Sequence, residues 1–192
     1  MDKPKPPQLR GVKLQRAVLD ATIARLEAVG IDQVRIADVA VAAGVHETSI
    51  YRRWRTLARL LADALVSRTA AEVPIPDTGS VRTDLVEFTT ALARFVATPT
   101  GTALVRGTVL ADDDPEVAAM REEYWRQRLA ASEQIVRRAQ ARGEVATTAD
   151  PRTVVLTLGG LVHMHATHLG REVSPQTIRT AVDMIVDGIA AA

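Results

Sequence analysis

The stretch IADVAVAAGVHETSIYRRW, residues 36–54, decides the fold, because it contains two short amphipathic segments separated by a glycine. The first segment, residues 36–43, has apolar side chains at i, i+3 and i+4 and predicts a helix. Gly44 is the residue type that adopts a left-handed backbone most readily, so we expect a sharp turn there. A second helix is predicted over Glu47–Trp54. This spacing is typical of a helix-turn-helix unit that enters the major groove of DNA.

The second predicted helix has an apolar face and a polar face. Ile50 and Trp54 lie one turn apart, so we expect them to be buried together. The other face carries hydroxyl and guanidinium groups, which bond phosphates and base edges. The residues predicted to contact DNA are Thr48, Ser49, Tyr51, Arg52 and Arg53. Taken alone, the motif also fits an ordinary helical hairpin with a polar outer face.

The composition favours a helical protein. Hydrophobic residues make up 47% of the 192 residues but aromatic residues only 3%, so the core consists mainly of Ala, Val, Leu and Ile. No run approaches the 18 apolar residues that a transmembrane helix needs. Cysteine is absent, which excludes disulfides and thiolate zinc sites but says nothing about the redox compartment. The N-terminal residues lack the apolar segment of a secretory signal. We therefore expect a soluble cytoplasmic protein without membrane contact.

The net charge of +1 conceals an asymmetry along the chain. Residues 1–60 carry 11 Lys or Arg and 6 Asp or Glu, whereas residues 61–192 carry 13 and 17. The basic part suits a nucleic acid partner, whereas the acidic part would be repelled by one. The first 12 residues are rich in proline and basic, and we expect a disordered arm there.

The remaining periodicity is helical, and no segment shows the sustained alternation of a strand. The fold class is therefore predicted to be all-α, with about nine helices in two parts. Proline, glycine and capping residues place the helices at about 13–29, 36–43, 47–54, 57–72, 81–97, a short segment to Leu110, 115–142, 151–169 and 175–189.

The chain resembles the TetR family of transcriptional regulators. The motif that carries the resemblance consists of Ile36, Ala37, Val39, Ala40, Ala43, Gly44, Val45, Ser49, Ile50, Tyr51 and Trp54. The resemblance implies three parts. A basic N-terminal arm covers residues 1–12, a helix-turn-helix DNA-binding domain covers residues 13–56, and a helical ligand-binding and dimerisation domain covers residues 57–192.

Two positions depart from the family pattern. His46 stands where a small hydroxyl residue usually caps the recognition helix, and it is a candidate phosphate contact. Leu57 stands where members commonly carry a lysine that touches the DNA backbone. We expect Arg55 to supply that contact instead.

A single helix-turn-helix unit reads only a few base pairs, so a dimer on a palindromic operator is expected. The resemblance implies a four-helix interface made by the last two helices of each protomer. The residues predicted for it are Val155, Leu158, Val162, Ile178, Val182, Ile185 and Ile189. In the alternative interpretation, both apolar stripes face the chain's own core.

The second part is expected to bind a small-molecule effector that modulates DNA binding through the fourth helix, with repression as the outcome that the resemblance implies. Candidate ligand contacts interrupt the aliphatic pattern, and they are Phe88, Phe95, Met120, Tyr124, Trp125, His163 and Thr167. Two alternatives stay open: these residues belong to the core, or the regulator has no small effector.

An enzyme is the competing class, because His163, His165 and His168 lie close together in the sequence. On a helix, His165 and His168 share a face but His163 points elsewhere, which is awkward for a three-histidine metal site. No catalytic motif with a nucleophile, a metal or a phosphate loop occurs. We therefore expect no enzymatic activity, no cofactor and no metal.

Overall fold

The computed structural model describes residues 11–109 and 115–190. These residues contain nine α-helices, a short 3-10 turn at Ile31–Gln33 and no strand beyond an isolated bridge between Val145 and Ala190. The helices are α1 (Val12–Val29), α2 (Ile36–Ala43), α3 (Glu47–Trp54), α4 (Leu57–Glu72), α5 (Val81–Val96), α6 (Pro99–Val109), α7 (Pro115–Arg142), α8 (Pro151–Thr167) and α9 (Pro175–Ile189).

The all-α prediction is confirmed, and most predicted helix ends agree within two residues. The predicted caps explain this agreement: Ser80, Asp150 and Ser174 each accept a backbone N–H from the first turn of the next helix. The predicted end at Leu110 and most of the predicted arm at residues 1–12 lie outside the described residues. Among the described residues, no helix has both the length and the apolar character needed to cross a bilayer.

The chain divides into two compact units. Unit 1 comprises the chain up to Arg68 and the stretch from Gly107 to Tyr124. Unit 2 comprises Thr69–Arg106 and the chain from Trp125 onward. The domain boundary predicted between residues 56 and 57 stays a prediction.

Unit 1 is built around α1 and α2, which pack against each other, with α3 packed on α2. The core contains fully buried aliphatic side chains from each of these helices, including Val18, Leu26, Val39 and Ile50. A surface ion pair, with 3.1 Å between Arg25 Nη2 and Asp38 Oδ2, also joins α1 to α2. An exposed pair of this kind adds little stability, so burial of aliphatic side chains holds unit 1 together.

Unit 2 is organised around α5, which packs against both α8 and α9. Its buried face includes Leu85, Phe88 and Phe95. At one end of the helix, the Arg82 guanidinium donates to Asp183 and Asp187 on α9, and the hydrogen bonds from these two carboxylates raise the pKa of Arg82. Helices α8 and α9 therefore both turn an inner face towards α5.

Residues 73–80, which connect α4 to α5, and the first residue of α5 are held by side chains of α5, of α7 and of Glu144. The buried Asp84 carboxylate accepts from the Thr78 N–H at 2.8 Å and from the Thr78 hydroxyl at 2.7 Å. Glu144 accepts the Val81 N–H at 2.8 Å, and this bond lowers the pKa of the Glu144 carboxyl. Arg138 donates to the Pro76 carbonyl. This connection is thus a bonded part of unit 2 rather than a flexible linker.

Candidate nucleic-acid interface

The turn between α2 and α3 has the geometry predicted from its glycine. Gly44 lies in the left-handed region with φ 65° and ψ 35°. Its N–H donates to the Val41 carbonyl at 3.2 Å, and the Val45 N–H donates to the Ala40 carbonyl at 3.0 Å. These two bonds form a Schellman motif, which satisfies carbonyls at the end of α2 that would otherwise lack partners.

Helix α3 buries one face and exposes the other, as expected. Ile50 and Trp54 have at most 1% of their surface exposed. Thr48, Tyr51 and Arg52 are exposed, and Ser49 is half-buried. The polar groups that can bond phosphates and base edges therefore stand on the surface of unit 1, opposite the buried pair.

The two arginines near the end of α3 differ in their surroundings. Arg53 Nη2 donates to Gln15 Oε1 on α1 at 2.5 Å, and its guanidinium carbon lies 5.5 Å from the centroid of the Trp54 ring. Arg52 is exposed, and its side chain makes no hydrogen bond or ion pair with another described residue. The Arg52 fork is therefore available to a base edge, whereas Arg53 is oriented along the protein surface.

The first residue before α3 is a weak cap. His46 is exposed, with φ −80° and ψ 140°, and its side chain makes no capping hydrogen bond. Only its backbone carbonyl is engaged in the helix, where it accepts the Ser49 N–H at 2.9 Å. The imidazole therefore remains free of the helix end that a serine or threonine would cap.

The junction between α3 and α4 is a tight turn centred on Arg55. The Thr56 N–H donates to the Trp54 carbonyl at 2.8 Å, and Arg55 has φ 65° and ψ −43°. This is a γ-turn with positive φ at its central residue, a rare and strained conformation. Arg55 is the one non-glycine residue with positive φ among the described residues. The sequence does not indicate this conformation, because positive φ is expected at glycine or asparagine and not at arginine.

Helix α4 is attached to α3 by a side chain that the sequence analysis did not single out. The indole Nε1–H of Trp54 donates to Asp63 Oδ2 on α4 at 3.0 Å. Thr56 caps α4 by accepting the Arg59 N–H at 3.2 Å, and Leu57 is half-buried. The side chain of Leu57 can make no phosphate contact, whereas Arg55 and Arg59 are exposed beside it.

The seven residues predicted to bind a ligand are divided between the two units, and their role stays a prediction. Met120 and Tyr124 are buried in unit 1, whereas Phe88 and Phe95 are buried in the core of unit 2. In unit 2, Trp125 and His163 are half-buried with ring centroids 5.8 Å apart, and burial lowers the pKa of His163. Thr167 is exposed, and its hydroxyl donates to the His163 carbonyl.

Unit 2 instead contains a cavity of about 220 Å³ that these seven residues do not line. It lies among the end of α5, the start of α6, the end of α8 and the loop that follows α8. Its walls are formed mostly by small aliphatic side chains, and its lining residues are Ala93, Val96, Ala97, Thr102, Val162, Ala166, Gly170, Arg171, Glu172 and Val173. Because alanine and valine occur throughout the chain, the sequence carried no signal for this cavity.

The residues predicted for the dimer interface require a correction. Five of them are buried within the chain itself, namely Val155, Leu158, Val162, Ile178 and Val182, and the other two, Ile185 and Ile189, are half-buried. A side chain that its own chain already covers has no area to offer a second copy. The five buried residues therefore belong to the core of unit 2, whereas Ile185 and Ile189 keep part of their surface exposed.

His165 on α8 and His168, the residue that follows α8, have separate local partners. His165 Nδ1 lies 3.0 Å from the Leu161 carbonyl oxygen, and His168 Nδ1 lies 2.6 Å from the Thr167 hydroxyl. Among the described residues, no group of three or more His, Cys, Asp or Glu side chains could hold a metal ion.

Replacing Arg55 separates its strain from its charge. We expect Arg55→Gly to have a free energy of unfolding about 1 kcal/mol higher than Arg55→Ala, because only glycine adopts positive φ without steric cost. Urea denaturation at one protein concentration measures the difference. The matched pair Arg53→Gly and Arg53→Ala, inside α3, should give the opposite order. An Arg55→Gly variant no more stable than Arg55→Ala would contradict the strain.

The sequence matches two family models that together cover most of the chain. Residues 18–64 match the N-terminal model of bacterial regulatory proteins of the tetR family, and residues 75–185 match the tetracyclin repressor-like C-terminal domain. The HTH-type transcriptional regulator AqdR of Rhodococcus erythropolis is 54% identical over 181 residues, which cover 94% of this chain and 87% of AqdR.

Solved structures share the fold. The TetR family transcription regulator SCO0332 superposes with a TM-score of 0.78 and 26% identity, over 93% of this chain and 99% of that one. FadR from Bacillus subtilis, solved in complex with stearoyl-CoA, superposes with a TM-score of 0.62 and 16% identity, over 91% and 98%. The exposed polar face of α3, the Gly44 turn and these similarities lead to one conclusion: the chain belongs to the TetR family of transcriptional regulators, which bind DNA through a helix-turn-helix and are not enzymes.

Proposed function

We propose that this protein is a cytoplasmic repressor that binds a palindromic operator as a homodimer, with α3 in the major groove of each half-site. The observation that carries the proposal is the orientation of α3: burial of Ile50 and Trp54 leaves the Arg52 guanidinium exposed and unpaired among the described residues. The net positive charge of residues 1–60 adds attraction to the phosphate backbone.

The side chains of α3 divide between base edges and phosphates. Arg52 presents a guanidinium fork that fits the O6 and N7 acceptors of guanine. Thr48 and Ser49 supply short hydroxyl groups that can bond either a base or a phosphate. Tyr51 is 48% exposed and reaches outward with its hydroxyl to a phosphate. The remaining phosphate contacts come from His46, Arg53 and Arg55 at the two ends of the helix.

The base-reading role of Arg52 has a direct test. The operator is first selected from random duplex DNA with the wild-type protein. We then expect Arg52→Ala to bind that operator roughly tenfold or more weakly, because a bidentate contact to guanine is lost, while its affinity for random duplex falls much less. Gel shifts at fixed salt measure both affinities.

Arg94→Ala, which removes an exposed arginine from α5, is the matched control and should bind both duplexes as the wild type does. Equal losses on operator and random duplex for Arg52→Ala would reassign Arg52 to the phosphate backbone. A wild-type protein that retains no duplex at low ionic strength would overturn the proposed function.

The proposed dimer uses the outer faces of α8 and α9, since α5 covers the inner ones. Leu156 and Met164 are exposed on α8 in line with Gly160, and Met184 is 72% exposed on α9 in line with Gly188. A Cβ built on either glycine meets no atom within 4 Å, so both glycines face open space. An apolar face with glycines allows a second helix to approach closely. Two protomers related by a twofold axis would pair this surface with itself.

Charged substitutions on the outer faces test this dimer. We expect the wild-type protein to sediment as a dimer at micromolar concentration. Leu156→Asp combined with Met184→Asp should sediment as the 20.7 kDa protomer, because pairing would bury two unpaired carboxylates in each copy.

Val41→Asp is the matched control, since Val41 is an exposed apolar residue on α2, and it should remain dimeric. A wild-type protein of 20.7 kDa, or a doubly substituted dimer, would contradict the proposed interface.

A small-molecule effector is proposed for the cavity of unit 2. The cavity volume of about 220 Å³ lies below the range of roughly 300–1,000 Å³ that drug-sized ligands occupy, so the ligand is compact. Its walls are mainly Ala and Val, and Arg171 and Glu172 bring opposite charges, which favours an uncharged, largely apolar molecule. The TetR-like FadR of Bacillus subtilis, solved with stearoyl-CoA, illustrates that this fold can accommodate a ligand. Helix α4 contributes residues to both units and so connects them covalently. Movement of α4 is therefore the proposed means by which ligand binding changes DNA binding.

A panel of uncharged one-ring compounds tests the cavity. We expect at least one compound to raise the melting temperature of the wild-type protein and to do so no longer in Ala93→Phe, whose ring would fill the cavity. Ala130→Phe, at an exposed position on α7, should retain the shift. If the compound still raises the melting temperature of Ala93→Phe, its binding site lies outside this cavity. A panel without any shift would favour a regulator that has no small effector.

A further inference from the structure

We infer that Asp63 is a positioning residue for DNA recognition: its carboxylate holds the indole of Trp54 and thereby fixes the orientation of α3 on α4. The inference rests on the proposed role of α3 as the helix that contacts the operator. It concerns a residue outside the DNA-facing surface, and it extends the proposed function from the contacts themselves to what aims them.

The hydrogen bond joins the end of one helix to the second turn of the next. Trp54 is the last residue of α3, and 1% of its surface is exposed. Its Nε1–H donates to Asp63 Oδ2 at 3.0 Å, and Asp63 is half-buried on α4. A buried indole N–H requires an acceptor, and an ionised carboxylate is a stronger one than a neutral group. Among the described residues, the carboxylate of Asp63 has no other partner.

The backbone between the two helices is short and strained. Only Arg55 and Thr56 separate α3 from α4, and Arg55 holds φ 65° in the γ-turn. A strained turn persists only where the surrounding structure holds it. The bond from Trp54 to Asp63 spans this turn and closes a ring of side chain and backbone. Without the bond, relaxation of Arg55 would rotate α3.

Rotation of α3 would matter because its contacts occupy one narrow face. Thr48, Tyr51 and Arg52 must meet base edges and phosphates at once, and a helix turned by a few tens of degrees loses the bidentate geometry at guanine. Attraction to phosphates in general would survive, because it depends on charge more than on orientation. Loss of the bond should therefore lower the affinity for the operator and spare the affinity for random duplex.

Four variants of the full-length protein test the inference: Asp63→Leu, Asp63→Asn, Trp54→Phe, and the double variant Trp54→Phe with Asp63→Leu. Leucine approximates the size of aspartate without an acceptor, whereas asparagine retains a carbonyl oxygen. Affinities for the selected operator and for random duplex are measured by fluorescence anisotropy at fixed salt. Helical content and melting temperature are recorded for each variant by circular dichroism.

We expect Asp63→Leu to bind the operator about tenfold more weakly and random duplex within about twofold of the wild type. Asp63→Asn should restore operator binding to within about threefold of the wild type, because it keeps the acceptor. The effects should not be additive: in the Trp54→Phe background, which has no indole N–H, Asp63→Leu should cause little further loss.

A spectroscopic measurement separates positioning from general destabilisation. In a Trp125→Phe background, Trp54 is the one remaining tryptophan, so its emission reports its own surroundings. The emission should shift to shorter wavelength in Asp63→Leu, where the polar partner is gone, and stay near the wild-type wavelength in Asp63→Asn.

Three results would overturn the inference: wild-type operator affinity in Asp63→Leu, equal losses on both duplexes that Asp63→Asn fails to rescue, or additive losses in the double variant. If Asp63→Leu does not fold, then Asp63→Asn and Trp54→Phe still decide: Asp63→Asn should bind the operator within about threefold of the wild type, whereas Trp54→Phe, which has no indole N–H, should bind it about tenfold more weakly. Failure of the proposed function is distinguishable, because the wild-type protein itself would then bind no operator.

Discussion

The exposed polar face of α3 depends on the burial of Ile50 and Trp54. A helix of eight residues is unstable alone in water, because nucleation costs more than its few hydrogen bonds recover. Helix α3 therefore persists because unit 1 covers these two side chains almost completely. Since they lie one turn apart, their burial leaves the opposite face of α3, with Thr48, Tyr51 and Arg52, exposed. One packing arrangement therefore both stabilises the helix and exposes its polar face.

Unit 2 depends on the position of α5 between two neighbours. Helices α8 and α9 pack their inner apolar faces on α5, and Arg82 pairs with carboxylates of α9 at one end. The outer faces of α8 and α9 remain exposed, and they are the surfaces of the proposed dimer. They carry exposed Leu156, Met164 and Met184 beside glycines without obstruction. The same arrangement therefore explains why the stripes with the clearest periodicity are core and why a second, less regular surface is the candidate interface.

Apolar periodicity located the helices, but neither periodicity nor the rarity of a residue type shows which residues form a binding site or an interface. The i, i+4 stripe at Ile178 and Val182 marks an apolar face, but periodicity does not say whether the same chain or a partner covers it. Aromatic residues such as Phe88 and Phe95 drew attention because they are rare here, and the structure buries them in the core. The cavity is lined instead by alanines and valines, which are common throughout the sequence.

The sequence by itself determined the helices of the described residues, the Gly44 turn and the polar face of α3, because all three depend on residues within a few positions of one another. Helix caps, apolar periodicity and glycine conformation are local properties, so they can be predicted from the sequence without knowledge of the tertiary structure. Only the tertiary structure decided which face of α8 and α9 is covered, where the cavity lies and that Asp63 meets Trp54. Those outcomes depend on packing between distant segments and on the strained turn at Arg55, and neither leaves a local pattern.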